Sequence, residues 1–173
     1  MKKFLIETER LTITEFNENM AQILHENSLD EDNRRFVPDE VFETVEEAHE
    51  TIVALMQCYE EDDAPLVYPV LLKNGENIGH VQIVPLEYEW EIGYHIAKQH
   101  TGNGYATEAI KAFLPIVMER LDISRVLGIV DSDNAASCAV LEKCGFVLER
   151  KVAREYHGGV RMVCQYLYLK GVK

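Results

Sequence analysis

Gln99-His100-Thr101-Gly102-Asn103-Gly104-Tyr105-Ala106-Thr107 decides how this chain is read. Its two glycines stand between a strand-like run at 90–97 and the strongest helical pattern in the sequence. Ala106, Ala109, Ile110, Phe113, Leu114, Val117, Met118 and Leu121 recur at i, i+3, i+4 and i+7, one apolar stripe at helical period. A loop in that position presents unpaired backbone N–H groups and the positive end of a helix dipole, which together favour an anion such as phosphate. Glycine lets the backbone approach the anion with no Cβ in the way. Pro115 lies inside the stripe and is expected to kink the helix rather than end it.

Outward from this loop, the pattern alternates between strand and helix. Upstream, 66–73 and 77–84 flank Asn74-Gly75-Glu76 and read as an antiparallel hairpin. In the run 90–97, Gly93 sits mid-strand, where a glycine marks a bulge or a close backbone approach. Downstream come a strand at 125–130, a polar turn at 131–134, a helix from 135 to about 143 stopped by Gly145, and two closing strands at 146–154 and 160–170. Near the start, 10–16 alternates as a strand, with Leu11 and Ile13 inward, and a short helix follows at 19–28. Residues 29–42 are polar, carry Arg34, Arg35 and Pro38, show no period and read as a loop. Thr44 and Glu47 have capping-box spacing ahead of Ala48, Ile52, Leu55, Met56 and Tyr59. The order predicts an α/β (α+β) fold, a mixed and mostly antiparallel sheet of six or seven strands with helices on its faces.

The 173 residues suit one domain spanning 1–173. With 47% hydrophobic and 27% charged residues, the composition is that of a soluble globular protein. The opening Met-Lys-Lys-Phe-Leu-Ile begins as a signal peptide does, but its apolar run stops at Glu7, so it reads as an early first strand. No run approaches a transmembrane span. Cys58, Cys138, Cys144 and Cys164 form no C-x-x-C pair, which fits reduced, mostly buried thiols, a cytoplasmic location and no metal site. Net charge is −13 and uneven: residues 1–90 hold 21 acidic and 6 basic side chains, residues 91–173 hold 9 and 11. Nucleic acid and membrane are therefore poor partners. The second half tolerates an anionic ligand, and the first suits a cationic one.

Three phosphate loops compete for residues 99–107. A Walker loop needs Gly-Lys-Ser/Thr, which is missing, and a Rossmann loop needs glycine where Thr107 stands. The Q/R-x-x-G-x-G/A pattern fits Gln99-His100-Thr101-Gly102-Asn103-Gly104. Two further blocks flank it: Trp90-Glu91-Ile92-Gly93-Tyr94-His95-Ile96, and Asn134-Ala135-Ala136-Ser137 with Leu141-Glu142-Lys143-Cys144-Gly145-Phe146. On these blocks the chain resembles the GNAT acetyltransferases, in particular their ribosomal-protein alanine acetyltransferase-like branch. The likeness is best over 90–150 and extends through Glu9-Arg10-Leu11 and the helix after Thr44.

The resemblance implies acetyl-coenzyme A as co-substrate, a splayed parallel strand pair, and transfer by direct attack on the thioester. The acceptor it implies is a primary amine, a protein or peptide N-terminal amine, with a polyamine or aminoglycoside as the alternative and a non-catalytic acyl-coenzyme A sensor as another. A homodimer is a further expectation. The pantetheine arm would run along Tyr94, His95, Ile96 and Ala97, and the pyrophosphate would rest on the amides of Gly102, Asn103, Gly104, Tyr105 and Ala106. Asn134 would contact the cofactor, although as a residue it reads equally as a helix cap. Glu91 is the candidate base and Ser137 the candidate acid or cofactor contact, since Leu141 stands where many members carry tyrosine. A backbone N–H near Gly93, that of His95, would stabilise the oxyanion.

Overall fold

The computed structural model describes residues 4–171. Eight strands form one sheet: β1 (Leu5–Glu7), β2 (Leu11–Thr14), β3 (Leu66–Leu72), β4 (Asn77–Pro85), β5 (Trp90–Ile96), β6 (Arg125–Asp131), β7 (Val147–Tyr156) and β8 (Gly159–Leu169). They lie in the order β1-β2-β3-β4-β5-β6-β8-β7. Every neighbouring pair is antiparallel except β5 with β6, which is parallel. The sheet thus exceeds the expected six or seven strands, because the three-residue β1 pairs separately with β2.

The five helices divide between the two faces of the sheet, and strand alternation explains how. Leu66, Tyr68 and Val70 of β3 enter one core with Leu11, Ile13, Ile92 and the stripe of α4 (Tyr105–Arg120). Leu141 of α5 (Ala135–Lys143) joins the same core. Val67, one residue out of phase, joins a second cluster with Phe16, Leu24 of α1 (Ala21–Ser28), and Ala48 and Ile52 of α3 (Val45–Cys58). Ile110, Phe113, Val117 and Met118 are fully buried, and each such side chain contributes about 1.5–3 kcal/mol. α4 runs unbroken past Pro115. The thiols of Cys144 and Cys164 are buried and those of Cys58 and Cys138 partly so.

Two expectations are corrected. Residues 29–42 are not a plain loop: they contain α2 (Glu31–Phe36) and a 3₁₀ turn at Pro38–Glu40. α2 starts where the Asp30 side chain accepts the Asn33 N–H at 2.9 Å, and six residues are too few to show a helical period. Gly93 makes no bulge, since β4 and β5 pair without interruption from Gly79↔Ile96 to Pro85↔Trp90. The register shift lies on the other side of β4, where Val70 pairs with Gly79 but Leu71 pairs with Asn77. No helix among the described residues is long and apolar enough to cross a membrane.

Candidate active site

β5 and β6 share a single parallel pairing, Glu91↔Leu127, and then part. The split opens into a cleft of about 690 Å³ bounded by β5, β6, the 98–107 loop, α5 and the segment from Asp30 to Glu40. Because side chains alternate along β5, its two faces are served by different residues. Ile92, Tyr94 and Ile96 pack toward the core under α4 and α5. Glu91, Gly93 and His95 occupy the opposite phase, under α2.

The phosphate-type loop has the expected form. Gly102 and Gly104 both have φ of +80°, a conformation that favours glycine, and a Cβ on Gly102 would meet nothing within 4 Å. Gly104 begins α4 with no side-chain cap, so no side chain takes the N–H groups of the first turn. The loop is braced from outside. Arg10 donates from Nε to Glu108 at 2.6 Å and from Nη1 to the Asn103 carbonyl at 2.9 Å, and its guanidinium lies 4.6 Å from the centre of the Tyr105 ring. Burial pushes the Glu108 carboxyl up, but hydrogen bonds from Thr8 and Arg10 outweigh it and hold the group low. Arg10→Ala is expected to raise the Kd for coenzyme A about two- to fivefold, the scale of an exposed ion pair. Isothermal calorimetry checks this, and an unchanged Kd would remove the bracing role.

Glu91, Tyr94, His95, Ile96, Gly102, Gly104, Tyr105, Ala106, Asn134 and Ser137 line the cleft together. Ala97 and Asn103 do not. Ala97 is fully buried and its N–H is spent on the Ile78 carbonyl at 2.8 Å. The Asn103 side chain folds back to the carbonyls of His100 and Thr101 at 3.0 and 3.3 Å. Asn134 is a cap as well as a wall, its Oδ1 accepting the Ser137 N–H at 3.1 Å. Leu141 is fully buried and outside the cleft, seated where a Cβ on Gly128 would meet it at 2.7 Å.

Residues that the sequence reading passed over complete the other side. Gln82 donates to Glu40 at 3.0 Å, and Glu40 lies 3.4 Å from His80 Nε2. Burial alone would push the Glu40 carboxyl up; the pull of His80 and the Gln82 hydrogen bond hold it below its ordinary value. Asp30 lies 3.3 Å from His95 Nε2, and Arg161 donates to the Arg35 carbonyl at 2.6 Å. Asp39 pairs with His157, so the segment is tied to β4, β5, β8 and the β7–β8 turn. His80 and Gln82 could have signalled this, since polar residues at alternate positions in an otherwise apolar strand mark a lined cavity. Arg34 and Arg35 do not enter the cleft; they pair with Glu43 and Asp133.

Glu91 stands at the point of the split, opposite Leu127. Burial pushes its pKa up to about 7, with the charges of Glu40 and Asp39 adding to the rise, while Arg154 and the Ile129 N–H oppose it. Tyr156, whose hydroxyl donates to the Ile129 carbonyl at 2.9 Å, is pushed up by burial and by the same carboxylates. A pKa near 7 on a half-buried carboxyl in a cleft is what a proton acceptor working at neutral pH requires.

Residues 10–147 match the family described as acetyltransferase (GNAT) domain. The chain belongs to this family. It is an acetyl-coenzyme A-dependent N-acetyltransferase. It is 29% identical to the uncharacterized N-acetyltransferase YnaD of Bacillus subtilis (strain 168), over 81% of each chain. A 35% match to YkkB of the same organism covers 47% of this chain and 50% of that one. Spermidine N(1)-acetyltransferase of Escherichia coli (strain K12) is 27% identical over 72% of this chain and 73% of its own. Among solved structures, a GNAT-family acetyltransferase from Bacillus anthracis superposes with a TM-score of 0.82 at 26% identity, covering 96% of this chain and 98% of that one. RimL, a ribosomal L7/L12 α-N-protein acetyltransferase solved with coenzyme A, gives 0.82 at 22% identity, covering 96% and 98%. The GNAT fold is therefore shared across its length.

Proposed function

We propose that this GNAT enzyme acetylates the N-terminal amine of a polypeptide by direct attack on the thioester, with Glu91 as base. The observation that carries the reading is Glu91 itself, a half-buried carboxyl whose pKa is pushed up to about 7, at the point where β5 and β6 separate. The acceptor enters as an ammonium, and Asp39, Glu40 and Glu91 supply negative charge on that side of the cleft. Glu91 takes the proton that the amine nitrogen must lose, directly or through one water. The nitrogen lone pair then forms the new C–N bond, the nitrogen of the tetrahedral adduct gives its second proton to water, and the C–S bond breaks with its electron pair on sulfur, which solvent reprotonates. The amides at Gly102, Gly104, Tyr105 and Ala106 hold the pyrophosphate at the helix terminus. The backbone of β5 from Tyr94 to Ile96, unpaired with β6, receives the pantetheine arm as an added strand. The His95 N–H, expected to serve the oxyanion, points instead at His80 of β4, in the register fixed by the Ala97 N–H on the Ile78 carbonyl; the N–H groups that face the split are those of Tyr94 and Ile96, and one of them is the oxyanion donor.

The likeness to RimL supports a protein N-terminus, and the carboxylates of the acceptor side support a second reading, a polyamine, in line with the spermidine relative. Both are tested by release of free thiol from acetyl-coenzyme A with Ala- and Ser-starting peptides, spermidine and aminoglycosides. Peptide-dependent release is the expected result. Release with spermidine alone would transfer the assignment to the polyamine. No release with any acceptor would overturn both readings.

A further inference from the structure

We infer that residues 29–41 form one hinged flap over the acceptor side of the cleft, and that Arg161 of β8 is the positioning residue that latches its tip. The part Arg161 plays in turnover rests on the reading that the amine is received on that side.

The two ends of the segment meet. Ser28, the last residue of α1, is buried, and its Oγ accepts the Phe42 N–H at 2.9 Å. His25 Nδ1, from the same helix, donates to the Phe42 carbonyl at 2.7 Å, and Phe42 packs against the cluster of α1 and α3. The chain between these two fixed points is a closed loop of the Ω type. Asn33 is its one buried residue, and no side chain from 29 to 41 belongs to either hydrophobic core. Polar contacts, not apolar packing, therefore hold the flap down, which puts it among the segments that open at low cost.

Those contacts straddle the split. On the β5 side, Asp30 lies 3.3 Å from His95 Nε2 and Asp32 pairs with Lys98. On the other side, Arg161 Nη1 donates to the Arg35 carbonyl at 2.6 Å and to Asp131 Oδ2, at the end of β6, at 3.2 Å. Arg35 stands midway along the flap, so Arg161 grips the point farthest in the chain from both hinges. The Arg35 carbonyl lies in the last turn of α2, where carbonyls have no helical N–H to accept. The Arg35 side chain makes a separate pair with Asp133, but those side chains are 62% and 71% exposed and such a pair contributes little. Arg161 and Asp131 are 28% and 11% exposed, so the tip is held through its backbone by Arg161. Asp39 and Glu40 ride on the returning limb. Opening about Ser28 and Phe42 takes them out of the cleft, and closing returns them.

Native-state hydrogen exchange reads the flap with no ligand present. The six residues of α2 are far below the ~12–15 that an isolated helix needs, so the helix melts when the flap lifts. Its Arg34 and Val37 N–H groups, bonded to the Asp30 and Asn33 carbonyls at 3.1 and 2.9 Å, report the event. In Arg161→Ala both should exchange about 10- to 100-fold faster, the scale of one charged hydrogen bond, with the rates of α4 unaltered. Arg35→Ala keeps the carbonyl and should change them less than about fivefold. In the thiol-release assay, Arg161→Ala should raise KM about two- to tenfold as the closed fraction falls, with kcat and coenzyme A affinity unchanged. The acceptor is the Ala-starting peptide, or spermidine where that alone is acetylated. Unchanged exchange in Arg161→Ala overturns the latch, and faster exchange in α4 as well overturns the flap as a separate unit. Equal acceleration in Arg35→Ala overturns the assignment to Arg161. Faster exchange in α2 with an unaltered KM leaves Arg161 a structural contact and overturns its positioning role. An unaltered enzyme that acetylates neither acceptor overturns the acceptor reading and the role built on it, whereas the exchange result still decides the flap.

Discussion

Replacing Glu91 with glutamine is expected to lower kcat by about 10²–10⁴-fold, the usual contribution of a general base, while leaving coenzyme A affinity unchanged. Glutamine has the size of glutamate but no titrating carboxyl, so the loss isolates the proton-accepting role. The pH dependence is the sharper signature. The carboxylate must be ionised to act, so kcat should rise with pH below about 7 and level off above it, and the glutamine variant should lose that limb. Stability should move the other way. The folded protein holds the Glu91 proton up to about pH 7, whereas the unfolded chain releases it near the ordinary value of 4.5. The unfolded state thus binds fewer protons in that window, and the residue's contribution to stability declines as pH rises from 4.5 to 7. Glu91→Gln should therefore melt higher than the unaltered enzyme at pH 8 and about equally at pH 4. A variant that kept the acidic limb of the kcat profile would remove Glu91 from the proton path.

The parts legible in the sequence were those governed by local rules. The stripe of α4, the Thr44 cap and the Asn74-Gly75 turn each follow from periodicity or turn chemistry, and each element stands where it was expected. The glycine loop was legible for the same reason: Gly102 and Gly104 are required by backbone geometry within one short segment. The acceptor side was not. Its carboxylates come from Asp39 and Glu40, its polar backing from His80 and Gln82, and its far wall from Tyr156 and His157, residues joined only by tertiary contact. Tyr94 shows the limit most clearly. As a sequence position it was one of four backbone contacts along β5, and only the placement of α5 brings its hydroxyl to Ser137.

Gly79→Ala is expected to destabilise the protein by about 3–5 kcal/mol, combining a backbone overlap with a strained φ. Gly79 has φ of +154°, and a Cβ built there would lie 1.9 Å from the His95 carbonyl oxygen and 3.0 Å from the Ile96 Cα. These are backbone atoms of β5, so relief requires moving the strand that carries Glu91, Tyr94 and His95 and leads into the 98–107 loop. Gly93→Ala makes the informative contrast. Its added Cβ would meet the Gln82 side chain, with Nε2 at 2.5 Å, and that amide can swing aside. Its stability loss should stay below about 2 kcal/mol. The cost appears instead in function, because a displaced Gln82 leaves Glu40 and raises the KM for the amine without changing coenzyme A affinity. Urea unfolding of the two variants separates the effects. A Gly79→Ala protein as stable as the unaltered chain would mean that β4 and β5 can part at Gly79 without loss, and the rigid frame assigned to the cleft would have to be abandoned.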